Sequence, residues 1–324
     1  MFDPSEPLGR GRPSRLAAAA AAAVTAACLA VTGCSGTPSS AHDAAPTLGP
    51  RPASGAGSPT NPFDLGFVNI EASSPTVPPN PAGPPADPFA GTPADAWADG
   101  PAGIVLPAAR PVGRFTAAQV ELAYQTTRKL LIAADLDQQT LLGAPPTAFA
   151  DLLTSTQRTT FLGGLNKVGL DSRGYPLSTR SWIMSFMPGD AQLIGGVIKV
   201  HGAMRAVAVR GSGGSDQLDI RLDYLFVYPV EPPHRPASWM RVVDEAQWTV
   251  RFANWQGSAT TLTPWVDDGG SVSGALCGTA DGYQHPDYPN EPEAQPGASP
   301  TGAPVDPYVM GQPVSGTCRA TTGT

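Results

Sequence analysis

The chain has 324 residues and a formal net charge of −7, with 37 Pro, 36 Gly and 15% charged residues. An acidic chain with no basic stripe argues against nucleic acid and against binding anionic lipid through its surface. Arg outnumbers Lys 17 to 3 and Ala is abundant; this composition follows a GC-rich coding bias, so no individual Ala or Arg carries weight by its type alone.

The N-terminus is divided as a secretory signal is. Arg10, Arg12 and Arg15 form a basic region, Leu16 to Val31 runs without a charge, and the run ends in Val31-Thr32-Gly33-Cys34. That ending resembles the lipobox of bacterial lipoproteins. The resemblance implies a signal peptide over 1–33, diacylglycerol on the Cys34 sulfur, and palmitate or a similar acyl chain on the new amine. Such a chain sits at the outer face of the cytoplasmic membrane, held there by two or three acyl chains. A transmembrane anchor is the alternative, but the run is shorter than the roughly 20 residues a bilayer core requires. A soluble secreted product cut elsewhere is the other.

Of the four cysteines, Cys28 leaves with the signal and Cys34 carries lipid, which leaves Cys277 and Cys318. In an oxidising compartment a single disulfide is the simplest use of the pair. Two metal-ligand thiols are the rival, without a C-x-x-C or a neighbouring Cys/His set to complete a site.

Residues 34–111 are expected to form a disordered stalk. Positions 35–111 hold 17 Pro and 9 Gly, too few large apolar side chains to offset chain entropy. Pro78-Pro79-Asn80-Pro81 and Pro84-Pro85 favour polyproline II, so the stalk reads as a semi-stiff spacer that carries the domain into the wall. Phe63, Phe67, Val68, Ile70, Phe89 and Trp97 are apolar islands within it, read as scattered and unpacked rather than as docking motifs.

A folded domain is expected over 112–256. Thr116 and Gln119 have capping-box spacing, and Phe115 with Val120 has that of a hydrophobic staple. Val120, Ala123, Tyr124, Thr127, Leu130, Leu131 and Ala134 continue at helical spacing to about Asp135. Pro145-Pro146 precede a second helical stretch with Phe149, Leu152 and Leu153, and Ser155 is a candidate cap for a further helix that Gly163-Gly164 ends. The period then changes to two. Trp182 to Met187 reads as a short strand and Leu193 to Arg210 as a long one, bent at Gly195, Gly196 and Gly202. Gly211 to Ser215 makes a hairpin turn; only its composition is that of a phosphate nest. Leu218, Ile220, Leu222, Tyr224, Phe226 and Tyr228 then share one face against Asp219, Arg221 and Asp223. Trp239 to Trp255 returns, with Trp248, Val250 and Phe252 alternating against Gln247, Thr249 and Arg251.

Helices followed by a meander predict an α+β domain, with N-terminal helices packed on a curved antiparallel sheet of long strands. The element order over Thr116 to Asn254 is similar to the cystatin-like, nuclear-transport-factor-2-like cone. The chain as a whole resembles uncharacterised actinobacterial secreted lipoproteins, in the box at Cys34, the Pro/Ala stalk and the Cys-bearing tail. That resemblance supplies an address and no chemistry. Residues 257–324 read as an irregular extension closed by Cys277–Cys318, with Asp267-Asp268-Gly269-Gly270 as a turn and Glu291 to Pro304 mobile.

No Walker loop, nucleophile elbow, zinc-binding H-E-x-x-H or EF-hand spacing is present, and no cofactor is implied. His42 and His234 lie in Pro-rich connections. His201, in mid-strand, is the candidate catalytic residue, with Asp219 or Asp223 as its acid–base partner; a His–Asp pair on a solvated sheet face is the plainer reading. His285 beside Asp281 and Asp287 could ligate a metal, although no regular element fixes them. Tyr283, Tyr288 and Tyr308 could stack on sugars, or anchor their loop. These features favour a non-enzymatic adaptor that binds an envelope protein or wall polymer. The alternative is a small-molecule carrier or enzyme with a pocket between helices and sheet. A pocket holding His201 with Asp219 or Asp223 would favour the enzyme, and a filled apolar interior the binder.

Overall fold

The computed structural model describes residues 83–172, 176–211, 214–253, 262–267, 270–289, 303–311 and 319–323. All of these belong to one compact unit, Ile70–Thr324. The signal, Cys34, Phe63, Phe67, Val68, Ile70, Trp255, most of Glu291 to Pro304, and Cys318 lie outside the described residues.

Helix α1 spans Ala117–Leu131 and starts as its capping box dictates: Gln119 N–H donates to Thr116 Oγ1 at 3.3 Å, and Thr116 N–H to Gln119 Oε1 at 2.9 Å. Such a cap stabilises by about 1 kcal/mol. Phe115 and Val120 are both buried, as the staple requires, and Val120, Ala123, Tyr124, Thr127, Leu130 and Leu131 form the buried stripe. The helix widens into a π turn over Ile132–Leu136, which carries Asp135 into the interior. Three short helices follow: α2 (Gln138–Leu141), α3 (Thr147–Leu152) and α4 (Ser155–Gly164). The cap of α4 is Thr154, whose side chain accepts from Gln157 N–H, one residue before the expected Ser155.

Trp182 to Met187 is not a strand of the sheet. A 3-10 turn, Thr179–Trp182, leads into a segment with every side chain from Ile183 to Phe186 buried. It threads the core, bonding Phe186 N–H to Leu141 O and Gln284 N–H to Ser185 O, each at 2.8 Å. A sheet with one solvated face would have required alternation, which these residues lack.

The sheet is antiparallel, with four long lanes. The first joins β2 (Gln192–Leu193) to β3 (Lys199–Arg210), interrupted where residues 194–198 face only 228–229 of the next strand. Gly195 and Gly196 take φ of +68° and +71° there, which L side chains disfavour. Strand β4 (Asp216–Glu231) is the central lane. The third lane is β5 (Met240–Ala246) and β6 (Thr249–Ala253), held in one register against β4 on either side of Gln247-Trp248. The fourth is β7 (Thr263–Asp267) and β8 (Gly270–Ser273). The extension expected to be irregular from 257 thus contributes a full sheet lane before it becomes loop.

The helices cover the face formed by even positions of β4. Phe149, Phe161, Phe186, Phe226, Tyr228 and Leu131 are buried among one another in that core.

The other face corrects the expected stalk boundary. Residues 83–111 are part of the body: a short strand, β1 (Ala98–Asp99), pairs with Val200 and Lys199, and Phe89 and Ala94 pack against Leu225, Val227 and Val243. Ile104 joins the helix-side core. Arg128 fastens the segment by donating to the Pro101 and Ile104 carbonyls at 2.8 and 3.2 Å. Averaged composition concealed this, because a few apolar residues suffice once the odd positions of β4 and β5 offer an apolar surface. Burial of Phe89 alone contributes about 2–3 kcal/mol. Among the described residues no helix is long and apolar enough to cross a membrane.

Candidate functional site

Side chains of opposed residues in neighbouring strands point to the same face. The register therefore places His201, Asp219 and Asp223 together on the outer face, away from the helices. It pairs His201 with neither carboxylate: His201 faces Leu225, Asp223 faces Ala203, and Asp219 faces Val207. The imidazole stacks instead on Trp97, with ring centroids 5.0 Å apart and 23° between planes. The proposed acid–base pair is not assembled, and none of its members lies between helices and sheet.

Each carboxylate has another use. Asp219 is 1% exposed and receives Arg251 through both oxygens, from Nε at 2.9 Å and Nη2 at 3.3 Å. Arg251 also reaches Asp267 at 3.5 Å, and Arg221 approaches Asp219 at 3.9 Å. Asp223 lies beside Glu245. Burial, then the Glu245 charge and a hydrogen bond to it, push the Asp223 carboxyl up to about 6. Glu245 Oε1 accepts from Gly311 N–H at 2.6 Å and Gln247 Nε2 at 3.0 Å, so this acidic pair holds the C-terminal tail on the sheet.

The outer face reads as rows across the lanes. Lys199–Val227–Val243 and His201–Leu225–Glu245 lie toward the end where Phe89, Ala94, Trp97 and Tyr308 pack. Beyond them come Arg205–Arg221–Thr249–Asp267 and Val207–Asp219–Arg251–Trp265. Arg205, Arg221 and Asp267 are exposed, and Val207, Thr249 and Trp265 half-buried. Arg205 and Arg221 stand directly opposite one another, a like-charge pairing that costs a sheet stability.

A second polar cluster, absent from the sequence reading, lies inside. Asp135 is 1% exposed with Oδ2 unbonded among the described residues. Burial, then the Asp244 charge, raise its carboxyl well above the usual range, against a hydrogen bond from the Met184 backbone. Asp244 occupies an even, inward position of β5, and burial with the adjacent Glu245 pushes it up to about 7. Tyr228 donates to the Asp135 carbonyl at 3.0 Å. Two acids in so apolar a setting retain protons that solvated carboxyls would lose. The rest of the interior is packed with aromatic and aliphatic side chains.

His285 is buried between two carboxylates, Asp190 on Nδ1 at 2.9 Å and Asp281 on Nε2 at 3.1 Å. Asp281 is the residue expected, but Asp190 replaces the exposed Asp287. The arrangement fastens the tail to the body. Among the described residues no group of three His, Cys, Asp or Glu could hold a metal ion. The three tail tyrosines also anchor. Tyr283 lies under Arg180 at 4.2 Å, Tyr288 donates to Asp190 O at 2.9 Å, and Tyr308 meets Trp97 edge-on at 6.0 Å.

No protein-family model, curated protein or solved structure matches this chain.

Proposed function

We propose that this is a bacterial lipoprotein, cut before Cys34 and anchored by lipid at the outer face of the cytoplasmic membrane. Its domain acts as a non-enzymatic adaptor in the envelope. The basic region, apolar run and Val31-Thr32-Gly33-Cys34 support the address. Because residues 83–111 pack on the sheet, the proposed spacer does not include them. Cys277 and Cys318 form the disulfide in this reading, and the domain is a variant of the cystatin-like, nuclear-transport-factor-2-like cone, which the order of helices and meander supports.

The observation that carries the adaptor reading is the half of the outer sheet face that no other described segment covers. A body that seals one end of that face with its own segment leaves two opposed, exposed arginines at the other. The test is in-cell photo-crosslinking of the full-length chain, with the reactive side chain at Ala203, at Thr249, or at exposed Thr159 on α4. We expect one partner, protein or glycan, captured from Ala203 and Thr249 and not from Thr159. The same bulk neighbours from all three positions would contradict it.

A second reading, a small-molecule site between helices and sheet, is favoured by the unbonded Asp135 Oδ2 beside Asp244. It predicts that a bound molecule shifts the titration of that pair, as read by carboxyl NMR.

A further inference from the structure

Arg205 and Arg221 are opposed across β3 and β4, with Cβ atoms about 5 Å apart. Arg205 is exposed and has no hydrogen-bond or ion-pair partner among the described residues, and Arg221 has only a 3.9 Å approach to Asp219. Among the described residues the acids nearby have other partners: Asp219 meets Arg251 through both oxygens, Asp267 meets the same arginine, and Asp223 lies against Glu245 with its Oδ1 buried and unbonded. Two arginines thus stand at opposed positions, in a pairing that the fold itself does not reward. A guanidinium matches the planar oxygens of a carboxylate or phosphate with two parallel hydrogen bonds. A pair of them can hold one such group between them, or two along a chain.

Resting on the reading of this face as the contact surface, we propose that Arg205 and Arg221 bind an acidic polysaccharide of the envelope through its carboxylate or phosphate groups. The surrounding residues suit a sugar chain. Thr249 continues the row with a hydroxyl, and Trp265 stands in the next row opposite Arg251. A row across four strands spans about 14 Å of sheet, ground for a linear polymer. The chain carries −7 overall, so attraction rests on local charge and falls with salt.

The test measures binding by the full-length chain in detergent to polygalacturonate, phosphorylated dextran, neutral dextran and poly-glutamate, by calorimetry. We expect binding to at least one acidic polysaccharide, none to neutral dextran, and weakening with salt. The double variant Arg205→Gln, Arg221→Gln should lose at least tenfold in affinity while melting no lower than the parent, because a like-charge pair is removed. Arg158→Gln, on α4, should bind as the parent does. Equal binding of neutral dextran, unchanged affinity of the double variant, or no binding of either acidic polysaccharide would overturn the inference. Tighter binding of poly-glutamate would overturn it in favour of an acidic protein. Capture from Ala203 in cells without acidic-polysaccharide binding would leave the contact surface and remove this ligand. Acidic-polysaccharide binding without capture would do the reverse.

Discussion

The two faces of the sheet solve the problem of charge in opposite ways. On the inner face, Asp135 and Asp244 are enclosed by apolar side chains and answer burial by keeping protons. On the outer face, Asp219 is as deeply buried but is met by Arg251, which donates to both of its oxygens. Burial alone does not decide whether a carboxyl is charged; the partner within reach does. The same contrast picks out Arg205, without an ion-pair partner among the described residues, and Arg221, which only approaches Asp219 at 3.9 Å.

The largest expected effect concerns the covered end of the outer face. Phe89→Ala should cost about 3 kcal/mol in urea denaturation, as for a core phenylalanine; a cost near zero would return residues 83–111 to the stalk. Next, Arg251→Ala leaves the buried Asp219 with only the 3.9 Å approach of Arg221, and should destabilise by about 2–3 kcal/mol, less than for a fully enclosed pair because solvent reaches the site. A matching loss in Asp219→Asn at low salt would confirm that the pair acts together.

Titration sharpens the comparison, through Asp244 on the inner face and Asp223 on the outer. Asp244 at about 7 and Asp223 at about 6 lie above the ordinary 3.8, so the folded chain binds these protons more tightly than the unfolded one. Their contribution is fully present below about pH 4. It falls as pH rises through 6 and 7 and has gone by about pH 8. Asp244→Asn should flatten the upper part of that fall and raise stability at pH 8 by on the order of 1–2 kcal/mol; an unchanged slope would mean that Asp244 ionises freely. The smallest effect is a gain of a few tenths of a kcal/mol in Arg205→Gln, from relief of the opposed arginines.

Much of the framework was legible in the residues. The box of Thr116 and Gln119 located α1, and the even-position apolar run from Leu218 to Tyr228 oriented β4. Parity could have gone further. Asp244 shares the parity of Trp248, Val250 and Phe252, which assigns it to the interior, and Asp135 prolongs the stripe of Tyr124, Thr127 and Leu131. The opposed arginines follow from the turn: with Arg210 facing Asp216, Arg205 must face Arg221 and His201 must face Leu225. A register shift is invisible to alternation counted on one strand, which is why His201 seemed able to meet Asp219 or Asp223. The segment 83–111 was illegible for another reason. Its few apolar residues acquire meaning only from Leu225, Val227 and Val243, more than a hundred positions away.

The most direct test of the central claim is arginine modification by phenylglyoxal on the full-length chain, with and without isolated cell envelope, read by mass spectrometry. If the open half of the outer face is the contact surface, Arg205 and Arg221 become protected while Arg158 and Arg210 react as before. Unchanged reactivity at Arg205 and Arg221, or protection confined to Arg158, would place the contact elsewhere and contradict the account.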